Sequence, residues 1–405
     1  MYLTFAWRYF KAKKSTNAIN IISWVTLCVI AFSTMCQVLV LSVFNGFEDL
    51  VKSLYSNFYT DVRVIASKGK TIFLSAEQIN SIKNFKGVKN ISLVAEEKAL
   101  LQNGELQTVV FLKGVDDNYR NVSGVPQKMK GDFETGTADK PELILGAGIE
   151  YAIGVQSEKS LTPLTVFLPK KIGYASSDPA SSLSEGNAYP SGSFAIQQDF
   201  DNKYVITNID FVKQQMNYAG NEYSAAEIAL LNPSQTDETT NSLQKMLGDN
   251  YKVQTKYQQN TSLYTSMKVE KWAIYAVLTL ILIIAAFNMI GALTMLVLEK
   301  RKDISVLQSL GADKSLILKI FLSEGLILAI TGAAIGLILA TIICALQSNF
   351  KLVKLSGNSF LIDYFPVKLI ATDFLLVAFT ALIIAFIAAW FPANKASHQA
   401  FELRS

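Results

Sequence analysis

The chain has 405 residues, of which half are hydrophobic and 17% charged, with a formal net charge of +4. A mean hydropathy of +0.28 is too high for an ordinary soluble protein, and the charge content is too high for a chain lying wholly in a bilayer. The slight positive balance gives no ground for a nucleic-acid partner. One histidine, His398, argues against a metal centre or a His-dependent triad, and Cys28, Cys36 and Cys344 all fall in apolar runs, so no disulfide framework is expected outside the membrane.

In chain order, residues 1–14 mix Tyr2, Phe5, Trp7, Tyr9 and Phe10 with Arg8 and Lys11. That mixture predicts an interfacial N-terminal helix, the alternative being a ragged extension of the first span. Four runs nearly free of charge follow, at 15–47, 271–298, 315–347 and 371–392. Crossing a hydrocarbon core takes about 20 helical residues, so each is read as a transmembrane helix. The first exceeds the apolar core of a signal peptide and lacks a small-residue cleavage site, which favours an anchor over a cleaved leader. Past its end, Phe44, Phe47, Leu50, Val51 and Leu54 keep three-and-four spacing. The helix is therefore expected to continue out of the bilayer with an apolar stripe in need of a partner.

Residues 48–270 alternate strand-like and helix-like pieces and predict a mixed α/β domain, in one or two lobes. Strands are expected at 61–66, 88–101, 106–115, 164–168, 194–198, 204–209 and 226–231, with a hairpin turn near Asn103-Gly104 and helices at 75–85 and 237–247. Residues 171–193, rich in Ser, Gly, Ala and Pro, read as a long exposed loop. Within the spans, Asn288 is expected to face the bundle, because an amide in lipid is costly unless bonded across helices. Glu324 is expected near enough to the inner end to be hydrated, and Gly332 with Gly336 predicts close helix approach.

Between the second and third spans lies 299–314, too charged for the bilayer and too short for a domain. Lys300, Arg301, Lys302, Lys314 and Lys319 place it on the same side as Arg8, Lys11, Lys13, Lys14, Lys395 and Arg404. The positive-inside rule makes that side cytoplasmic, despite Lys351, Lys354 and Lys368 in the opposite loop, 348–370. Both termini, including the tail 393–405, are then inside, and 48–270 is outside. The Gly69-Lys70-Thr71 triplet is not a phosphate loop, since Val64 stands where the upstream glycine belongs. No calcium loop, zinc cluster or nucleophile elbow is found, so the chain is read as non-enzymatic and binding no cofactor of its own.

With its long insert between the first two of four spans and its Glu299-Lys300-Arg301-Lys302-Asp303-Ile304 segment running on to Gly311, the chain resembles the FtsX- and MacB-type permeases of ABC transporters. Three further segments resemble the LolC and LolE permeases of the lipoprotein-releasing system: Ser42-Val43-Phe44-Asn45-Gly46-Phe47-Glu48, Phe287-Asn288-Met289-Ile290, and Phe360-Leu361-Ile362-Asp363-Tyr364-Phe365-Pro366. The resemblance implies a bacterial inner-membrane protein with four transmembrane α-helices and a large mixed α/β periplasmic domain. It implies a second permease subunit, identical or homologous, and a cytoplasmic ABC ATPase dimer that uses ATP and Mg. It also implies a lipoprotein cargo and a periplasmic lipoprotein carrier, which the 171–193 loop would receive unless that loop is idle, the two readings standing level.

On these residues Lys300, Arg301, Lys302, Asp303, Ile304, Leu307, Leu310 and Gly311 would form the ATPase-coupling helix. Asp303 would cap it, Ile304, Leu307 and Leu310 would press into the partner, and Gly311 would end it. Lipid chains would meet Val43, Phe44, Phe47 and Leu50, then Leu263, Met267 and Ile274, and finally Phe360, Leu361, Tyr364 and Phe365. Two alternatives share the topology: a MacB-like efflux permease, and an FtsX-like regulator of a periplasmic hydrolase.

Overall fold

The computed structural model describes residues 17–157, 160, 162–170, 183–355 and 363–398. The 1–14 helix, Phe360, Leu361 and most of the proposed carrier loop, at 171–182, lie outside the described residues. Two compact units emerge: a membrane unit (1–50 and 265–405) and an outer unit, Val51–Tyr264.

Four helices are long and apolar enough to cross a membrane: Asn17–Phe58, Thr261–Glu299, Lys314–Phe350 and Ala371–Ser397. They are called here the first to fourth membrane helices. The chain is thus a multi-pass membrane protein with a large α/β domain between its first two spans. Within the membrane unit, Leu27 and Ile30 of the first helix pack with Met289, Leu293 and Leu296 of the second, Phe321, Leu328 and Ala329 of the third, and Ala385, Ala388 and Ala389 of the fourth. The prevalence of alanine matters, because lipid gives no hydrophobic drive and close backbone approach must supply the packing. At Gly336 a Cβ would lie 2.4 Å from the Ala31 carbonyl oxygen, so the expected close approach through the third helix is made against the first.

The outer unit is built on a ten-stranded sheet in the order β12-β1-β11-β3-β4-β9-β6-β8-β5. Its strands are β1 Val62–Ala66, β3 Val88–Asn103, β4 Leu106–Val115, β5 Met129–Gly131, β6 Glu142–Gly146, β7 Leu164–Pro169, β8 Leu183–Phe194, β9 Tyr204–Asn208, β11 Ala225–Leu230 and β12 Tyr251–Thr255. Strands β2, Ile72–Phe73, and β10, Glu222–Tyr223, pair separately. β4–β9 and β6–β8 are parallel, and the remaining pairings are antiparallel. Because β7 bonds both β3 and β8, the circuit β3-β4-β9-β6-β8-β7 closes on itself, leaving those strands no open edge there. Inside it lie Leu101, Val110, Leu112, Leu145, Val166 and Val205, with Phe211 and Val212 of the Ile209–Met216 helix. A second core forms where Ile82 of the Ala76–Lys83 helix and Leu243 of the Thr236–Leu247 helix meet Val62, Val64 and Ile228.

Residues 183–193 are therefore not loop. They form most of β8, whose residues pair with β5, β6 and β7, and the expected 194–198 strand is the end of β8 followed by a short helix, Gln198–Asp201. The tertiary pairing outweighs the low strand propensity of Ser, Gly and Asn.

Candidate functional site

Between the second and third membrane helices the chain turns through the nine-residue helix Arg301–Ser309. Lys300 holds its cap position without a side-chain acceptor, and Asp303 lies one turn in, where its charge suits the helix dipole and pairs with Lys300 Nζ at 3.1 Å. Asp303 is thus not the cap. A capping oxygen must precede the helix, and the aspartate that does so is Asp313, which accepts from the Leu316 amide at 2.9 Å and starts the third membrane helix. Gly311, at φ +87°, ends the short helix in a Schellman arrangement: its amide donates to Gln308 O at 3.0 Å, and Ala312 N donates to Leu307 O at 2.9 Å.

The faces of this helix differ from expectation as well. Ile304 is 2% exposed and packs within the chain's own core beside Leu296, Val297, Ile317 and Phe321, so it cannot press into a partner. The outward apolar surface is Leu310, 79% exposed, and Val306, with Leu307 half-buried and Arg301 and Lys302 exposed beside them.

At the other end of the second membrane helix, Lys271 reaches into a polar cluster. Its Nζ donates to Asn45 Oδ1 at 2.9 Å and to both Asp373 oxygens at 3.1 Å, while Asn45 Nδ2 donates to Asp373 Oδ2 at 2.6 Å. Asn45 and Asp373 are buried, so this ionic cluster sits where charges are tolerated only when paired and bonded. Four and eight residues on, Tyr275 bonds Thr380, and Thr279 accepts from Gln37 Nε2 at 3.2 Å. Spacing of four puts Lys271, Tyr275 and Thr279 on one stripe, tying the outer half of the second helix to the first and fourth by hydrogen bonds. The inner half, from Leu282 through Met289 to Leu296, is tied by apolar packing. No spacing in the sequence marks this ladder, because its members come from three segments.

The loop before the fourth helix folds onto the first. A Cβ at Gly46 would lie 2.3 Å from Pro366 O, the Lys368 amide donates to Ser42 O at 2.9 Å, and Lys368 pairs with Asp49. Of the residues expected to meet lipid, Phe47 and Phe365 come together edge to face at 5.8 Å, and Val43 and Phe365 line one cavity. Tyr364 lies under the Lys351 ammonium at 4.2 Å. Phe44, Leu50, Met267 and Ile274 are half-buried. Leu263 belongs to the aromatic core of the outer unit instead. Asn288 is exposed on the membrane unit's surface rather than facing the bundle, and Glu324 is buried rather than hydrated.

Within the outer unit, the last two turns of the first membrane helix dock on the sheet. Phe58 stacks on Phe200 at 4.3 Å, and Tyr55 OH donates to Asp199 Oδ2 at 2.6 Å. Under the Phe58 ring, 4.8 Å from its centre, lies the ammonium of Lys113, bonded to Glu227 at 2.9 and 3.0 Å beside the Arg63–Glu96 pair. Burial pushes the Lys113 ammonium down, but Glu227, with Tyr119 and Glu96, overrides it and holds the lysine charged. The helix end closes as Gly124 N donates to Asn57 O at 2.8 Å.

Residues 275–401 match the FtsX-like permease C-terminal family, a segment that includes the short Arg301–Ser309 helix and the last two spans. Full-length relatives extend the match through the outer unit. The lipoprotein-releasing system transmembrane protein LolC of Neisseria meningitidis serogroup B is 26% identical, with 96% of this chain and 95% of the relative covered. The chain thus resembles the LolC and LolE permeases along almost its whole length. LolC of Xylella fastidiosa is 24% identical over 96% of this chain and 95% of its own, and LolE of Haemophilus influenzae is 23% identical over 97% and 96%. Among solved structures, the periplasmic region of MacB from Actinobacillus actinomycetemcomitans is 13% identical with a TM-score of 0.35, covering 52% of this chain and 94% of that chain. The extracellular domain of the ABC-type transporter YknZ from Gram-positive bacteria gives 14% identity and a TM-score of 0.34, covering 48% and 99%.

Proposed function

We propose that this permease is the membrane subunit of an inner-membrane ABC transporter that draws lipoproteins from the outer leaflet and hands them to a periplasmic carrier. A separate cytoplasmic ATPase dimer hydrolyses ATP, and a second permease completes the membrane part. The observation that carries the reading is similarity to LolC and LolE along more than nine-tenths of the chain, outer unit included.

The geometry supports the two ends of such a cycle. On the cytoplasmic side, Leu310, Val306, Arg301 and Lys302 offer a small apolar and basic surface on a helix clamped by Ile304 into the bundle. On the outer side, Phe44, Phe47 and Met267, each partly exposed, offer apolar surface near the outer ends of the first and second helices. A lipid leaves a bilayer only if its methylenes, at about 0.8 kcal/mol each, find other apolar cover. The reading is tested by purifying the complex in mild detergent and analysing what comes with it, alongside depletion of the permease in cells. Co-purified acylated protein and lipoproteins stranded in the inner membrane are expected. A complex free of acylated protein, with lipoproteins correctly sorted on depletion, would return the assignment to an efflux permease or a regulator of a periplasmic hydrolase.

A further inference from the structure

Beneath the outer loop, between the first and third membrane helices, lies a cavity of about 430 Å³, within the usual size range of ligand sites. Leu39 and Val43 form one wall, Ile343 and Leu346 the other, and Val353 and Phe365 the roof. The only amide in the lining, Gln347, does not face a ligand with its polar head. Its Nε2 donates to Val353 O and Phe365 O, both at 3.0 Å, and its Oε1 accepts from Val353 N at 2.9 Å. The roof is a built structure in its own right. Lys354 bridges Tyr364, Phe365 N donates to Val353 O at 3.1 Å, and Leu355 N donates to Asp363 O at 3.0 Å. A buried glutamine that gives these three bonds to the loop leaves below it an open-sided cavity with apolar walls.

The same lid carries Lys351 and Lys354, both exposed and flanking the roof residues Leu352 and Val353. These lysines run against the positive-inside bias, so topology gives no reason for them. Lys351 is further held at φ +51°, a left-handed conformation, with its ammonium over the Tyr364 ring. The nearby Lys368 is paired with Asp49, and Asp363 on the lid's opposite strand offsets only one of the two remaining cations.

We propose that this chamber binds one acyl chain of an anionic glycerophospholipid from the surrounding membrane, its phosphate held by Lys351 and Lys354. Hydrocarbon walls select a chain, and a cationic rim selects a phosphate-bearing head; an acylated protein has the first and lacks the second. The bound lipid is a resident ligand of the permease, distinct from its cargo.

The test is native mass spectrometry of the full-length permease titrated with dioleoylphosphatidylglycerol or dioleoylphosphatidylcholine. One phosphatidylglycerol should be retained at least tenfold more tightly than phosphatidylcholine. Ile343→Trp, which fills the chamber, should abolish retention of that one lipid. Lys351→Glu combined with Lys354→Glu lies on the exposed lid and should erase the preference for phosphatidylglycerol while leaving phosphatidylcholine binding unchanged. Equal retention of the two lipids by the unaltered chain would mean annular lipid only and overturn the proposal. So would a retained phosphatidylglycerol in Ile343→Trp, or its displacement by an acylated lipoprotein peptide.

Discussion

Lys113 shows how one residue decides the fate of a joint. Its ammonium is buried between Glu227 and the rings of Phe58 and Tyr119, each ring centre 4.8 Å away. Lys113→Met takes away the closer partner of the buried Glu227 and leaves it only Arg63 Nε at 3.7 Å, for which up to about 3–5 kcal/mol of destabilisation is expected, read as a lower urea midpoint for the outer unit. Adding Glu227→Met should recover much of that loss, because the under-compensated buried carboxylate is then gone and Arg63 keeps Glu96. Since the folded lysine titrates above its ordinary value, its contribution is intact below the unfolded pKa of about 10.4 and is lost as pH rises through the folded value. Asp199 works at the opposite end of the scale. The hydrogen bond from Tyr55 holds its carboxyl below the usual carboxylate range, so its contribution is present above about pH 3.9 and is lost as pH falls through the depressed folded value. Tyr55→Phe should move the Asp199 titration upward, measurable by carboxyl-carbon NMR; an unmoved titration would deny the bond its role.

At the scale of elements, the second membrane helix is joined to its neighbours in two different ways along its length. Hydrogen bonds at Lys271, Tyr275 and Thr279 are directional and can be exchanged for others, whereas the alanine and leucine packing farther in is continuous. Asp373→Ala should therefore raise hydrogen exchange around Lys271 in the second helix and in the first turn of the fourth, and leave the turns around Leu293 protected. Exchange rising equally along both helices would show that the ladder has no local role. For the Arg301–Ser309 helix, Leu310→Asp should release the ATPase subunit on pull-down while the permease stays folded. Ile304→Asp should lower the thermal midpoint of the permease itself, since it places a charge in the core.

Sequence reasoning reached the spans because long apolar runs have few other uses, and it reached the β3–β4 hairpin because Gly104 supplies the positive φ of its turn. It misjudged Ile304 and Asn288 for one physical reason. Apolar residues around Asn288 occupy nearly every face of their helix, and the Arg301–Ser309 helix has too few turns, so neither pattern says which side is inward. The Asn45–Lys271–Asp373 cluster left no local trace because its members are scattered along the chain.

For the whole molecule, the first membrane helix is unbroken from Asn17 to Phe58, its residues counted with the membrane unit up to Leu50 and with the outer unit from Val51. Two glycines inserted after Leu50 should leave ATPase binding intact while lowering lipoprotein release per ATP hydrolysed in reconstituted vesicles; an unchanged ratio would show that helix continuity is dispensable. Because Ile304 anchors the Arg301–Ser309 helix from behind, its outward residues, Arg301, Lys302, Val306 and Leu310, can change without disturbing the bundle. After gene duplication, sister permeases could acquire different motor subunits through a handful of surface changes, and transplanting those four side chains should be enough to redirect recruitment.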